Sequence, residues 1–147
     1  MRIGAAKPAE AEALAAAYDW LFAAPGARPP QWDPGRASER LRQAATSSRA
    51  AVLVAQDGDA IVGFCTVYLD IESVRFGLRA WVEDLAVDPA HRSRGHGKEL
   101  LGAAKDWARE RGASHLELDS ADSRVDAHRF YRREGPSWES RSFGWLL

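Results

Sequence analysis

The chain has 147 residues, a single cysteine, and 20 lysines and arginines against 21 aspartates and glutamates, for a net charge of −1. That balance argues against duplex nucleic acid as a partner. The lone Cys65 excludes an internal disulfide framework and a cysteine-rich zinc site, so no metal centre is expected.

The length predicts one domain over residues 1–147, large enough for an ordinary hydrophobic core. No apolar run reaches the roughly 20 residues that cross a bilayer, and no apolar leader follows Met1. The expected setting is therefore reducing and cytoplasmic, without a membrane partner.

Residues 2–6 predict a short opening strand. Pro8 then suits a first helical position, and an alanine-rich helix is expected to run to Phe22, with Leu14, Tyr18, Leu21 and Phe22 on one face. Residues 24–34 hold Pro25, Pro29, Pro30 and Pro34 and read as an extended loop, followed by a helix over about 35–45. Residues 51–55 form an apolar strand, and Asp57-Gly58-Asp59 is a tight hairpin signal. The return strand is expected over 60–71, with Ile61, Gly63 and Cys65 on one face. A third long strand over 79–87 ends at Asp88-Pro89. Leu100, Leu101, Ala104, Trp107 and Ala108 then make the apolar stripe of a helix over 97–111, stopped by Gly112. Leu116 and Leu118 alternate with acids in a short strand, residues 125–133 predict a last helix, and the aromatic residues 137–147 a final strand. This order implies a mixed α/β sheet covered on both faces.

The chemistry concentrates in Asp84-Leu85-Ala86-Val87-Asp88-Pro89-Ala90-His91-Arg92-Ser93-Arg94-Gly95-His96-Gly97-Lys98, a strand, a basic glycine turn and a helix start. A helix N-terminus offers unpaired N–H groups and the positive end of a dipole, both suited to phosphate. Gly95 and Gly97 let backbone approach a pyrophosphate, while Arg92, Arg94 and Lys98 add positive charge. Without the glycines the same residues would read as a solvated basic turn. A P-loop is excluded because Glu99 follows Lys98 where Ser or Thr is required. A dinucleotide fingerprint is excluded because Leu100 stands where the third glycine belongs.

Arg92-Ser93-Arg94-Gly95-His96-Gly97, preceded by Asp84-Leu85-Ala86-Val87, closely resembles the acyl-CoA signature of the GNAT acyltransferase superfamily. A second resemblance lies in residues 126–135, where Ala127, Phe130 and Tyr131 precede the helix-ending Gly135. The resemblance implies a GNAT fold: a mixed, mostly antiparallel central sheet splayed between its fourth and fifth strands and flanked by about four helices. It implies an acetyl-CoA-dependent N-acetyltransferase that moves acetyl directly to an amine of a small molecule or side chain. A non-catalytic acyl-CoA-binding sensor or regulatory module is the alternative, and a homodimer is compatible with the family.

By the same resemblance, acetyl-CoA is held by the backbone of Leu85, Ala86 and Val87 and by Arg92, Ser93, Arg94, Gly95, His96, Gly97 and Lys98. Tyr131 matches the family's general acid, and a phenol's pKa of about 10 is within reach of a thiol's of about 8.5. Glu83 is the preferred base for the incoming ammonium, with Asp84 as the rival. Neighbours on a regular strand face opposite ways, so only one should enter the cleft unless a bulge intervenes. Trp20, Trp32, Tyr68, Trp81 and Asp84 are candidate acceptor residues. Acids beside aromatics favour a cationic amine over an anionic acceptor; the plainer reading makes the tryptophans core and the acids surface. Two departures from the family pattern stand out: Arg124 replaces an asparagine, and Pro136 an aromatic.

Overall fold

The computed structural model describes residues 1–147. Five strands, β1 (Arg2–Ala5), β2 (Ala50–Asp57), β3 (Ala60–Ser73), β4 (Gly77–Val87) and β5 (His115–Glu117), form one sheet in sequence order. The first three pairings are antiparallel, and β4 pairs with β5 in parallel. Five helices cover it: α1 (Ala11–Ala17), α2 (Asp19–Phe22), α3 (Pro34–Thr46), α4 (His96–Glu110) and α5 (Val125–Arg133).

The β2 side chains divide the core by period-two alternation. Val52 and Val54 join Leu14 and Ala15 of α1 and Ala37, Leu41 and Ala44 of α3 on one face. Ala51, Leu53 and Ala55 meet Leu100, Ala104, Trp107 and Ala108 of α4 on the other. The α4 stripe therefore packs as its spacing predicts. Asp33 caps α3 by accepting a bond from the Arg36 N–H at 3.1 Å, with Pro34 in the first turn.

The structure corrects three local expectations. The alanine-rich helix is divided at Tyr18, where bonding tightens to the i−3 pattern: the Tyr18 N–H reaches the Ala15 carbonyl at 3.3 Å, and the Leu21 N–H the Tyr18 carbonyl at 2.9 Å. Ile61, Gly63 and Cys65 do not share a face, because the register shifts opposite Ala55 and Gln56; Ile61 packs with the α1 and α3 cluster and Cys65 with the α4 cluster. Residues 137–147 form no strand and are exposed. Their aromatic composition suits a pleated surface, but no β-ladder receives it. This segment is instead held by side chains, through the Arg132–Glu139 ion pair at 3.0 Å and a Ser142 hydroxyl bond to Asp119 at 3.0 Å.

The functional geometry begins where β4 and β5 part. They pair only through Arg79, Ala80 and Trp81 opposite His115, Leu116 and Glu117. Beyond Trp81 the β4 edge runs on to Val87 with no strand beside it on the β5 side. This is the expected splay between the fourth and fifth strands.

Candidate active site

The turn from β4 into α4 is built for an anion. Asp88 accepts the Ala90 N–H at 2.9 Å and closes a short turn over Pro89–His91. The chain then passes through two left-handed residues, Ser93 at φ 61° and Gly95 at φ 87°, before α4 starts. No backbone N–H from residues 92–98 finds an acceptor within the protein. Successive free N–H groups coiled at a helix N-terminus make an anion-binding concavity. The guanidinium and ammonium groups of Arg92, Arg94 and Lys98 stand exposed around it. Arg92 also returns a bond to the Val87 carbonyl at 3.4 Å. His96 is the exception among the predicted cradle side chains: it is buried, 6.5 Å from the His91 ring, and its Nδ1 has no partner.

Gly97 lies where α5 packs on α4. A Cβ there would lie 3.4 Å from Cζ of Phe130, so α5 closes directly over the first turn of α4. The same helix carries Tyr131, whose ring lies 5.2 Å from Phe130. Burial, with smaller effects from Cys65 and Asp84 against the opposing charge of Arg124, pushes the Tyr131 phenol up to about 12. It remains protonated throughout the neutral range.

Glu83 and Asp84 owe their placement to a bulge. Thr66 pairs with Asp84 and Val67 with Val82, which leaves Glu83 as the extra residue. Core membership shows the resulting change of parity: Val82 faces α4, whereas Ala86, four residues on, faces α1 and α3. Both carboxylates therefore turn to the α1 and α3 side, and the Asp84 N–H is taken by the Thr66 hydroxyl at 3.1 Å.

Their surroundings differ. Asp84 is half-buried and accepts a 2.6 Å bond from the Tyr18 hydroxyl. Burial raises its pKa; Glu83 adds to the rise, while Tyr18 and Arg124 oppose it. Glu83 is exposed and accepts the Trp81 indole N–H at 2.8 Å. With Tyr68, Leu69, Asp70 and Trp81, Glu83 lines an open cleft of about 450 Å³. Asp70 is neutralised there by Arg79, which also lies 5.3 Å from the Trp81 ring.

Tyr68, Trp81, Glu83 and Asp84 thus share one face beside the splay. Trp20 and Trp32 sit farther back in an aromatic cluster: Trp32 stacks on Tyr18 at 5.3 Å and Trp20 on Phe64 at 6.3 Å. They wall the site through Tyr18. Two residues here lay outside the sequence reading of the site. Tyr18 was legible only as an apolar face residue. Arg124 was visible as a departure, and the structure gives it a partner, the Leu21 carbonyl at 3.0 Å at the end of α2.

The sequence is 41% identical over 88 residues to a streptothricin acetyltransferase from Streptomyces lavendulae, a match covering 60% of this chain and 44% of that protein. The matches to curated relatives cover 42–64% of those proteins' own lengths. A transcriptional regulator from Bacillus halodurans has the same fold, with a TM-score of 0.83 at 22% identity over 99% of both chains. The aminoglycoside N-acetyltransferase AAC(6')-Iy, solved in complex with CoA, gives a TM-score of 0.82 at 16% identity over 99% of this chain and 93% of that one. The sequence profile described as Acetyltransferase (GNAT) family matches residues 13–135. With its sheet parted between β4 and β5 and the basic glycine turn at the parting, this chain belongs to the GNAT acetyltransferase family.

Proposed function

We propose that residues 1–147 form one catalytic domain, an N-acetyltransferase that uses acetyl-CoA and delivers acetyl directly to an amine. The observation that carries this reading is the run of unpaired N–H groups over residues 92–98, lying beside a β4 edge that is open on the β5 side. These features fit a coenzyme A thioester: the turn is suited to the diphosphate, and the backbone of Leu85, Ala86 and Val87 to an extended arm by strand-like addition.

Bound there, acetyl-CoA supplies an activated acyl carbon. The protein's own groups do the rest. N–H groups at the parting polarise the acyl oxygen. A carboxylate of the bulge, Glu83 or Asp84, takes the proton that a primary ammonium must lose before it can attack. Glu83 has the freer approach from the open cleft, while burial raises the proton affinity of Asp84 above that of an ordinary aspartate. The Tyr131 hydroxyl gives a proton to the departing sulfur and recovers one from the nitrogen, which sheds its second proton as the amide forms. Trp20, Trp32, Tyr68 and Trp81 shape the acceptor side. We place the enzyme in the cytoplasm, in keeping with a single buried thiol and with no helix long and apolar enough to cross a membrane.

The test is release of free CoA thiol over a panel of polyamines, aminoglycosides, amino acids and lysine peptides. Turnover that disappears in Tyr131→Phe, with acetyl-CoA affinity retained, is the expected result. Tight acetyl-CoA binding without thiol release from any acceptor would make the chain a non-catalytic sensor instead.

A further inference from the structure

Arg124 ends the turn before α5, and its Nη2 donates to the Leu21 carbonyl 103 residues away. That is the only hydrogen bond of its side chain, which forms no ion pair with any carboxylate. A guanidinium carries five donors. Four therefore remain uncommitted on a half-buried side chain.

The neighbourhood is arranged to admit it. Gly26 lies against the same guanidinium: a Cβ there would collide with the Leu21 carbonyl oxygen and come within 2.8 Å of Arg124 Nη2. The charge of Arg124 is felt by both Asp84 and Tyr131, yet Asp84 lies outside ion-pair distance. Asp84, half-buried behind exposed Glu83, thus has no cationic partner, and half-buried Arg124, bonded to the Leu21 carbonyl just beyond Tyr18, has no anionic one. Half-buried charges left unpaired are costly, and a ligand bearing the complementary pair relieves both.

We propose that the acceptor carries an anionic group, a carboxylate or an oxyacid of phosphorus, as well as its amine, and that Arg124 binds that anion. The amine then points to the Glu83 and Asp84 bulge and the anion to α5, so the molecule lies across the cleft in one orientation. The inference rests on the transferase reading for the fate of the amine. It narrows the expected cationic acceptor to one with both charges.

The experiment separates the two claims. N,N-dimethyl derivatives of glycine, β-alanine and γ-aminobutyrate present an ammonium and a carboxylate at three spacings and form no stable amide. Their ethyl esters keep only the ammonium. Calorimetric titration of the full chain should show at least one acid binding 10-fold or more tightly than its ester, and Arg124→Gln should remove that difference. Arg124→Lys, a point charge without the planar fork, should restore part of it. Initial rates with the primary amino acids and their esters should show the same pattern in KM.

Equal binding of acids and esters by the wild-type chain overturns the proposal. So does a loss in Arg124→Gln that is the same for acids and esters, which would make Arg124 a strut for α2. Arg124-dependent acid binding without thiol release would overturn the transferase reading while leaving the anion site standing. Turnover confined to polyamines would do the reverse.

Discussion

The Tyr18 hydroxyl donates a 2.6 Å hydrogen bond to Oδ2 of Asp84, tying the end of α1 to the bulge of β4. The Tyr18 ring is stacked between Trp32 at 5.3 Å and Phe64 at 4.8 Å, so the phenol has little freedom to turn away. Burial and the adjacent carboxylate hold its proton far above the usual phenol range. One Asp84 oxygen is thereby committed to the protein.

Tyr18→Phe keeps the stacking and removes the bond. Loss of a hydrogen bond of this kind costs about 1 kcal/mol in stability. The bond favours ionised Asp84, so without it the carboxyl keeps its proton to higher pH. If Asp84 takes the acceptor's proton, the acid limb of kcat/KM moves upward. A limb that stays in place while stability falls assigns the proton transfer to Glu83.

Asp84→Asn should trade activity for stability. Burial is the largest cause acting on this carboxyl and raises its folded pKa above the 3.8 of an unburied aspartate. The folded state then holds the proton more tightly than the unfolded one. That contribution to stability is full below about pH 3.8 and is lost as pH rises through the folded pKa. At neutral pH the ionised group is therefore a net cost that asparagine lacks, while its amide oxygen still accepts from Tyr18. Urea denaturation should find Asp84→Asn more stable than wild type at pH 7, with the gap closing toward pH 4. A gap independent of pH would show that ionisation is not its source.

Tyr131→Phe tests the proposed proton donor. The ring remains against Phe130, so Tm and acetyl-CoA affinity should change little. Loss of a general acid lowers kcat by roughly 100- to 10,000-fold. With the phenol pushed up to about 12, the wild-type rate should show no alkaline fall from this group between neutral pH and about 10. A fall centred near 8 would implicate another acid.

The glycine turn, the α4 stripe and α5 were legible because each rests on local rules. Positive φ demands Gly95, period 3.6 sets Leu100, Leu101, Ala104, Trp107 and Ala108, and Gly135 closes a helix whose bounds agree with expectation. What stayed hidden depends on pairing across the sheet. The bulge at Glu83 follows from the register of β4 against β3, which no alternation within β4 reveals. The Tyr18–Asp84 and Arg124–Leu21 bonds join residues 66 and 103 positions apart, and such contacts leave no periodic trace. The aromatic residues 137–147 misled for the opposite reason: strand-like composition reports a surface that could pair, and here none does.

Gly95 and Gly97 look equivalent in the sequence and should behave differently. Gly95 sits at φ 87° with open space where a side chain would project. Alanine there is penalised by backbone conformation alone, about 1–2 kcal/mol. Relief of that strain turns the N–H groups of residues 93–96 away from the diphosphate proposed to bind there. Gly97 has an ordinary helical φ, and an added methyl would rest 3.4 Å from the Phe130 ring, at the near edge of normal contact. Alanine gains up to about 1 kcal/mol in helix propensity at such a position, which offsets a small shift of that ring. Thermal denaturation and acetyl-CoA titration should therefore show Gly95→Ala losing both Tm and affinity, and Gly97→Ala close to wild type in both. A β-branched residue drives into Phe130, so Gly97→Val should displace α5 and with it Tyr131, lowering kcat more than affinity. Equal losses for the two alanine variants would mean that the turn reads only the absence of a side chain, not the sign of φ.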